Sequence, residues 1–302
     1  MQRGDLPGAP VVTAELIPAN GRYGEVFDRG YQRYGGVRLG RGHGVWAVAR
    51  YSMRRAMGFK KSWSSKVIPF FVYIAATLTA VIPIGIEAFI DQRVIGYPEF
   101  FGFLYLLQGI FIATIAPEFL CSDRRENVLS LYFCRAITRL DYLLGKLLGA
   151  GLLALTVTLA PALILWFGRQ SQADAPLDAL WSNLPDLGRL VFVGVMLALY
   201  LSSGGLMISS FTGRKSIAVA VIIVGVVVIE ALVGLLSVAV DGDLQRYSIV
   251  VSPTLVSAGL SDSIFRPDDP TLDFPWWGYA VTMVVTILGC IAIMYRRYVR
   301  ED

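Results

Sequence analysis

The sequence predicts an all-α membrane protein with six transmembrane helices. Six unbroken apolar stretches carry this prediction, at 67–90, 100–120, 142–168, 190–211, 216–240 and 277–295. A helix needs about 20 mainly apolar residues to cross the ~30 Å hydrocarbon core. In that core, only helices or closed barrels provide hydrogen bonds for every backbone N–H and C=O group. Composition agrees, since 55% of the 302 residues are hydrophobic and 17% are charged, whereas soluble domains have about 25% charged residues.

The basic residues predict that both termini are cytoplasmic. With the N-terminus inside, all but five of the 27 Lys and Arg residues fall on the cytoplasmic side, the exceptions being Arg93, Arg169, Arg189, Arg246 and Arg266. Because Lys and Arg in short loops set topology, we expect a multi-pass protein of a bacterial plasma membrane. The net charge is +4, and the uneven distribution of basic residues across the membrane accounts for it without a nucleic-acid partner. We therefore expect no nucleic-acid partner.

Three regions follow along the chain. Residues 1–45 are rich in Gly and predict a flexible cytoplasmic segment. Within 46–66, apolar residues recur every three or four positions between basic ones, which predicts an amphipathic helix on the inner leaflet; its marker residues are Trp46, Arg50, Arg54 and Arg55. An ordinary basic flank is the alternative interpretation. Residues 67–300 form the six-span domain.

Two connecting segments are predicted to be structured. Thr138 can cap the third span, with Asp141 at the position that favours the positive end of the helix dipole. In the last outer segment, the apolar run 247–260 is too short to span and is typical of a re-entrant or interfacial helix. The pair Gly145 and Gly149, four residues apart, permits close helix packing.

Charged side chains inside apolar spans are costly and call for a partner. Glu230 lies within the fifth span, where it either lines a substrate path or makes a structural hydrogen bond. Glu87 lies close to the outer end of the first span, where we expect it at the membrane interface.

The sequence contains no motif for catalysis or for binding a cofactor or metal in this chain. In particular, it has no P-loop of the form G-x-x-x-x-G-K-[ST] and no Cys-x-x-Cys. The single histidine, His43, lies in the Gly-rich segment, and the three cysteines are expected to be reduced thiols.

The stretch after the second span is the most distinctive of the chain. It contains the charged residues Asp123–Arg125, where we expect a bend at the inner membrane interface, the segment Leu129–Leu131, the segment Arg135–Arg139, and the start of the third span at Tyr142–Leu148. This pattern resembles the permease subunits of type-2 ABC exporters, the ABC-2 type. The chain departs from the family at Glu126–Asn127, where Gly-Thr is common, and at Ala136, where Pro is common.

The resemblance covers about 46–300 and implies a mechanism. Two permeases, identical or homologous, would each rest on a separate ATP-binding cassette subunit, which would hold ATP and Mg²⁺. The helix before the first span would be the family's elbow helix, and a path between the permeases would include parts of the second and fifth spans, where Glu118 and Glu230 lie. A cytoplasmic coupling helix would dock on the ATPase through Asp123, Arg124, Arg125, Glu126, Leu129, Leu131, Arg135, Thr138 and Arg139.

Two other functions are compatible with the sequence. A secondary transporter would need intramembrane charges or broken helices, for which Glu230 and Pro83 give slight support. A non-transporting scaffold or sensor subunit could use the N-terminus for docking. Because the spans have few polar residues, lipids, amphiphilic drugs or apolar peptides are favoured as substrates.

Overall fold

The computed structural model is a helical bundle, and the part of the chain that it describes contains no β-strand. The described residues are 40–58, 63–90, 92–126, 128, 132, 137–239, 249–267 and 274–300. Nearly all of the Gly-rich segment lies outside them, as do three residues predicted for ATPase coupling, Leu129, Leu131 and Arg135.

The prediction of six membrane-spanning helices is confirmed. They are α2 (Ser64–Ile90), α3 (Tyr97–Arg125), α4 (Arg139–Ser171), α6 (Leu184–Ser210), α7 (Lys215–Ala239) and α9 (Trp276–Arg300). At 1.5 Å per residue, the 29 residues of α3 and the 33 of α4 give lengths of about 44 and 50 Å. Both helices therefore extend beyond a hydrocarbon core of ~30 Å.

Consecutive spans run in opposite directions and give the bundle two chemically different ends. At one end, α3, α6 and α9 finish and α4 and α7 begin; we call it the basic end, because Arg124, Arg125, Arg214, Lys215 and Arg297 lie there. The opposite end holds the short helix α5 (Pro176–Ser182).

A helix precedes the first span, but its boundaries differ from the prediction. Helix α1 covers Arg41–Ala56, so it begins five residues before Trp46 and ends ten before 66. It includes Gly42 and Gly44, which favour disorder in isolation. Because α1 packs along α4 and α3, tertiary contact outweighs the low helix propensity of these glycines.

The centre of the bundle is formed by α3 and α4. Phe111, Ile115 and Phe119 on α3, and Val157 and Leu165 on α4, are almost fully buried. By contrast, only 11% of the apolar window of α7 is buried, and α2 and α9 also expose much of their apolar surface. Exposed apolar faces on spanning helices are expected where lipid replaces water as the solvent.

The chain re-enters the bundle after α7. Helix α8 (Pro253–Phe265) begins beside Glu230, whose carboxylate accepts hydrogen bonds from the Ser252 hydroxyl (2.7 Å) and from the Thr254 backbone N–H (3.0 Å). Glu230 lies nine residues, about 13 Å, before the end of α7. The other end of α8 is next to Arg266, which pairs with Glu99 at the start of α3. The re-entrant helix predicted in 247–260 therefore exists, starting at Pro253.

A buried ion pair fastens the opposite end of the bundle. The Nε and Nη2 atoms of Arg169 on α4 lie 2.9 and 2.6 Å from the carboxylate oxygens of Glu87 on α2. The Arg169 guanidinium also lies 5.0 Å from the centre of the Tyr97 ring at the start of α3. The side chains of Glu87 and Arg169 are 6% and 7% exposed, so the pair joins three spans in the interior.

Candidate coupling site

The basic end contains a charged cluster with a buried centre, which we call the Asp123 cluster: Arg55, Asp123, Glu126, Tyr142 and Lys146. Asp123 is in the last turn of α3 and is fully buried. Its Oδ2 atom lies 2.6 Å from the Lys146 Nζ and accepts a hydrogen bond of 2.9 Å from the Tyr142 hydroxyl. Its Oδ1 atom accepts a 3.3 Å hydrogen bond from Arg55. One carboxylate therefore joins α1, α3 and α4.

Lys146 is in the second turn of α4 and is 1% exposed. Its ammonium lies 5.2 to 6.0 Å from the ring centres of Tyr142, Phe119 and Tyr132, within the range of cation–π attraction. Tyr142 also packs against Tyr298 near the end of α9, with ring centres 5.9 Å apart. The cluster thus reaches the last span and Tyr132, a described residue of the predicted coupling segment.

Helix α1 is held at its C-terminal end by Arg55. Besides Asp123, its guanidinium pairs with the carboxylate of Glu126, directly after the end of α3. Partial burial opposes the charge of Arg55, but the carboxylates of Glu126 and Asp123 raise the pKa of its guanidinium above the ordinary value. Arg55 is therefore a permanent cation that links α1 to the end of the second span.

The N-terminal end of α1 is attached to the start of α4. Thr138 caps α4 as predicted, and it forms a capping box with Asp141, in which each side chain accepts a hydrogen bond from the other's backbone N–H. The Asp141 carboxylate also lies 3.0 Å from the Arg41 guanidinium at the start of α1. The cap that begins the third span therefore also anchors α1.

Between these anchors, α1 lies directly on two glycines of α4. A Cβ atom at Gly145 would be 2.9 Å from the Val45 carbonyl oxygen, and one at Gly149 would be 3.0 Å from the Ala49 carbonyl oxygen. Such distances are too short for any larger residue without a shift of the backbone. The small pair predicted to allow close packing is therefore where α1 crosses the third span.

The sequence as a whole matches a transporter family. Residues 29–302 match the sequence model of a family described as ABC-2 family transporter protein. The chain belongs to the ABC-2 transporter family. No curated protein sequence matches it. The resemblance carried by 123–148 is confirmed, and the chain is a membrane permease of the ABC transporter type.

The residues predicted for coupling in this ABC-2 permease have different surroundings. Arg125 and Glu126 are exposed at the end of α3, which continues as a helix through Arg125; the bend expected at Asp123–Arg125 is wrong. Arg124 donates to the Ser210 carbonyl at the end of α6, and Arg139 donates to the Val299 carbonyl (3.4 Å) in α9. These two arginines join the ends of neighbouring spans.

The four marker residues of the predicted elbow helix divide between two faces of α1. Trp46, Arg50 and Arg54 are exposed and lie four residues apart, on one stripe of the helix. Arg55 faces inward. The opposite stripe, with Val48, Ala49, Ser52 and Ala56, is buried. An exposed stripe with one Trp and two Arg suits contact with a lipid headgroup layer.

The two acids predicted along a path are not brought together. Glu118 on α3 pairs with Lys215 at the start of α7, with 2.6 Å between Oε1 and Nζ. Glu230 lies 15 residues further along α7, about 22 Å by helical rise. Its bonds to the start of α8 give it a structural role, and α2 runs unbroken through Pro83. Glu230 and Pro83 therefore give no support to secondary transport.

Sequence reasoning missed the importance of Lys146. It was counted with the basic residues that set topology, although a lysine four residues into an apolar stretch calls for a buried partner. In the structure that partner is Asp123, at the end of the preceding span. In the described part of the chain, no group of three or more side chains could hold a metal ion.

Proposed function

We propose that this permease forms the translocation path of an ATP-driven exporter in the bacterial plasma membrane. It pairs with a second permease, identical or homologous, and both termini are cytoplasmic. Separate ATP-binding cassette subunits dock beneath the basic end and hold ATP and Mg²⁺. The distribution of Lys and Arg supports this orientation, because the basic end would face the cytoplasm.

One observation carries the proposal for coupling. Asp123 on α3 is the first residue of the segment 123–139, and its carboxylate binds both α1 and α4. Because buried ionic groups cannot separate without a large free-energy penalty, a force applied to 123–139 or to α1 is transmitted to two spans together. Leu129, Leu131, Arg135 and the exposed Arg125 and Glu126 would contact the ATPase, while Asp123 positions them.

Affinity capture tests this proposal. The full chain, expressed in its source cells, should retain an ATP-binding cassette protein through purification. Replacing Leu129 and Leu131 by Asp should release the ATPase and leave membrane insertion intact. A matched control is the double change Leu177→Asp and Leu184→Asp, at exposed positions of the opposite end. If the first double variant still captures the ATPase, the coupling segment is assigned wrongly; if the native chain captures none, the proposed function fails.

A further inference from the structure

A small apolar cavity lies between α3, α6, α8 and α9. Its volume is about 120 Å³, and its wall is formed mainly by Phe101, Leu106, Leu197, Leu260 and Met283. Engineered apolar cavities of about 150 Å³ stay dry and bind benzene-sized molecules. This cavity therefore has room for the end of one hydrocarbon chain or for one ring, and it offers little to a polar ligand.

The exposed residues of the cavity lining are Gly102 and Leu106 on α3 and Ala258 on α8, so the cavity opens between these two helices. By helical rise, Gly102 and Leu106 lie about 7 and 13 Å along α3 from Tyr97, within the apolar stretch 100–120 that the sequence predicts to span the membrane. A ligand that enters here comes from the lipid phase. No atom lies within 4 Å of a Cβ built on Gly102, so a larger side chain can be introduced there without a clash.

Three hydroxyl groups lie in the wall, those of Tyr105, Thr254 and Ser257, and Ser257 donates its own to carbonyl groups of α8. The hydroxyl of Tyr105 is buried and lacks a well-formed hydrogen bond to any described residue, although Thr254 of α8 lies near it. A buried donor without an acceptor is unfavourable. The cavity thus combines a mainly apolar wall with one buried hydroxyl that lacks a partner among the described residues.

We infer that this cavity binds the hydrocarbon end of an amphiphile that enters from the membrane. Resting on the proposed function, we further infer that such an amphiphile is the exported substrate. The driving force is the filling of an empty space, because hydrocarbon gains no hydrophobic free energy on passing from lipid into protein.

Photolabelling tests the site without the ATPase. The full chain in lipid nanodiscs is irradiated with palmitic acid carrying a diazirine near its methyl end, and labelled peptides are mapped by mass spectrometry. We expect labels in 101–106 and 254–260. Gly102→Leu should close the entrance without a backbone clash and reduce this labelling at least tenfold. Gly109→Leu is the matched control, since Gly109 also has no atom within 4 Å and does not line the cavity. Labelling elsewhere, or equal labelling of Gly102→Leu, would overturn the site.

A second arm separates a transported amphiphile from a resident lipid. The ATPase-bound complex is assayed for stimulation of ATP hydrolysis by palmitic acid, in parallel with photolabelling by a phosphatidylcholine that carries the same diazirine chain. We expect stimulation with Gly109→Leu and loss of it with Gly102→Leu. If phosphatidylcholine labels the cavity and Gly102→Leu does not change ATP hydrolysis, the amphiphile is not the exported substrate. The cavity is then a binding site for a structural lipid. Failure to capture an ATPase would refute the proposed function without affecting the labelling result.

Discussion

The ammonium of Lys146 lies 2.6 Å from the Asp123 carboxylate, and both side chains are almost completely buried. Each residue is on a different spanning helix, 23 positions apart in sequence. The carboxylate also binds Tyr142 and Arg55, so its negative charge is compensated from three sides. This relationship gives the basic end a fixed geometry, on which the proposed coupling depends.

A double-mutant cycle on this pair should show strong coupling. Asp123→Asn preserves the side-chain shape but leaves Lys146 buried without a carboxylate, which should lower the free energy of unfolding by about 3–5 kcal/mol. Combined with Lys146→Met, the loss should be about 0.5–3 kcal/mol smaller than the sum of the single losses. Denaturant unfolding of the purified chain measures these differences. Additive losses would show that the pair contributes no interaction energy.

Gly145→Val should detach α1 from the third span. The new side chain would meet the Val45 carbonyl oxygen and the Val48 side chain, so α1 must move away. Trypsin should then cleave α1 after Arg50 and Arg54 at least several times faster than in the native chain. Gly204→Val introduces the same β-branched residue into α6, where nothing lies within 4 Å, and should leave α1 protected. Unchanged protection in Gly145→Val would contradict the observed packing.

At the opposite end, removing the charge of Glu87 should destabilise the bundle. Glu87→Gln leaves the Arg169 guanidinium buried without its carboxylate, with an expected loss of about 3–5 kcal/mol in unfolding free energy. Arg169→Lys keeps the charge but cannot form two parallel hydrogen bonds, so its loss should be smaller. Both losses can be measured by denaturant unfolding, and an equal or greater loss for Arg169→Lys would argue against the paired geometry.

Glu230→Gln should loosen the re-entrant helix while leaving the spans in place. A carboxamide has one acceptor oxygen for the two donors, the Ser252 hydroxyl and the Thr254 N–H, so one is left unpaired at a cost of about 1–3 kcal/mol. Hydrogen exchange at the first amides of α8 should accelerate by about tenfold or more. If α8 remains as protected as in the native chain, Glu230 does not hold its start.

Most of the architecture is readable from the sequence, because its main signals are local. The six spans follow from apolar length, and the cap at Thr138 follows from the spacing to Asp141. The position of α1 is not local. Its start at Arg41 depends on Asp141, one hundred residues away, and on the glycine surface of α4. A sequence pattern shows that a helix is amphipathic, but not which partner covers its apolar stripe.

The candidate site was predicted only in part, because it also depends on contacts between residues that are distant in sequence. The segment 123–139 stands out by its charges and leucines, but the inward direction of Asp123 and Arg55 depends on the partners that surround them. Lys146 was visible as a charge in an apolar stretch, and its burial requires a carboxylate from another helix. The roles of Leu129, Leu131 and Arg135 stay predictions.

Hydrogen exchange of the ATPase-bound complex, with and without ATP and Mg²⁺, tests the coupling claim most directly. If the basic end transmits motion from the ATPase, nucleotide should change the exchange of amides in both α1 and the first turns of α4. The change in α4 should be lost in Asp123→Asn with the ATPase still bound. Two results would contradict the proposed coupling. Either nucleotide does not change hydrogen exchange at the basic end, or the change in α4 is the same in Asp123→Asn as in the native chain.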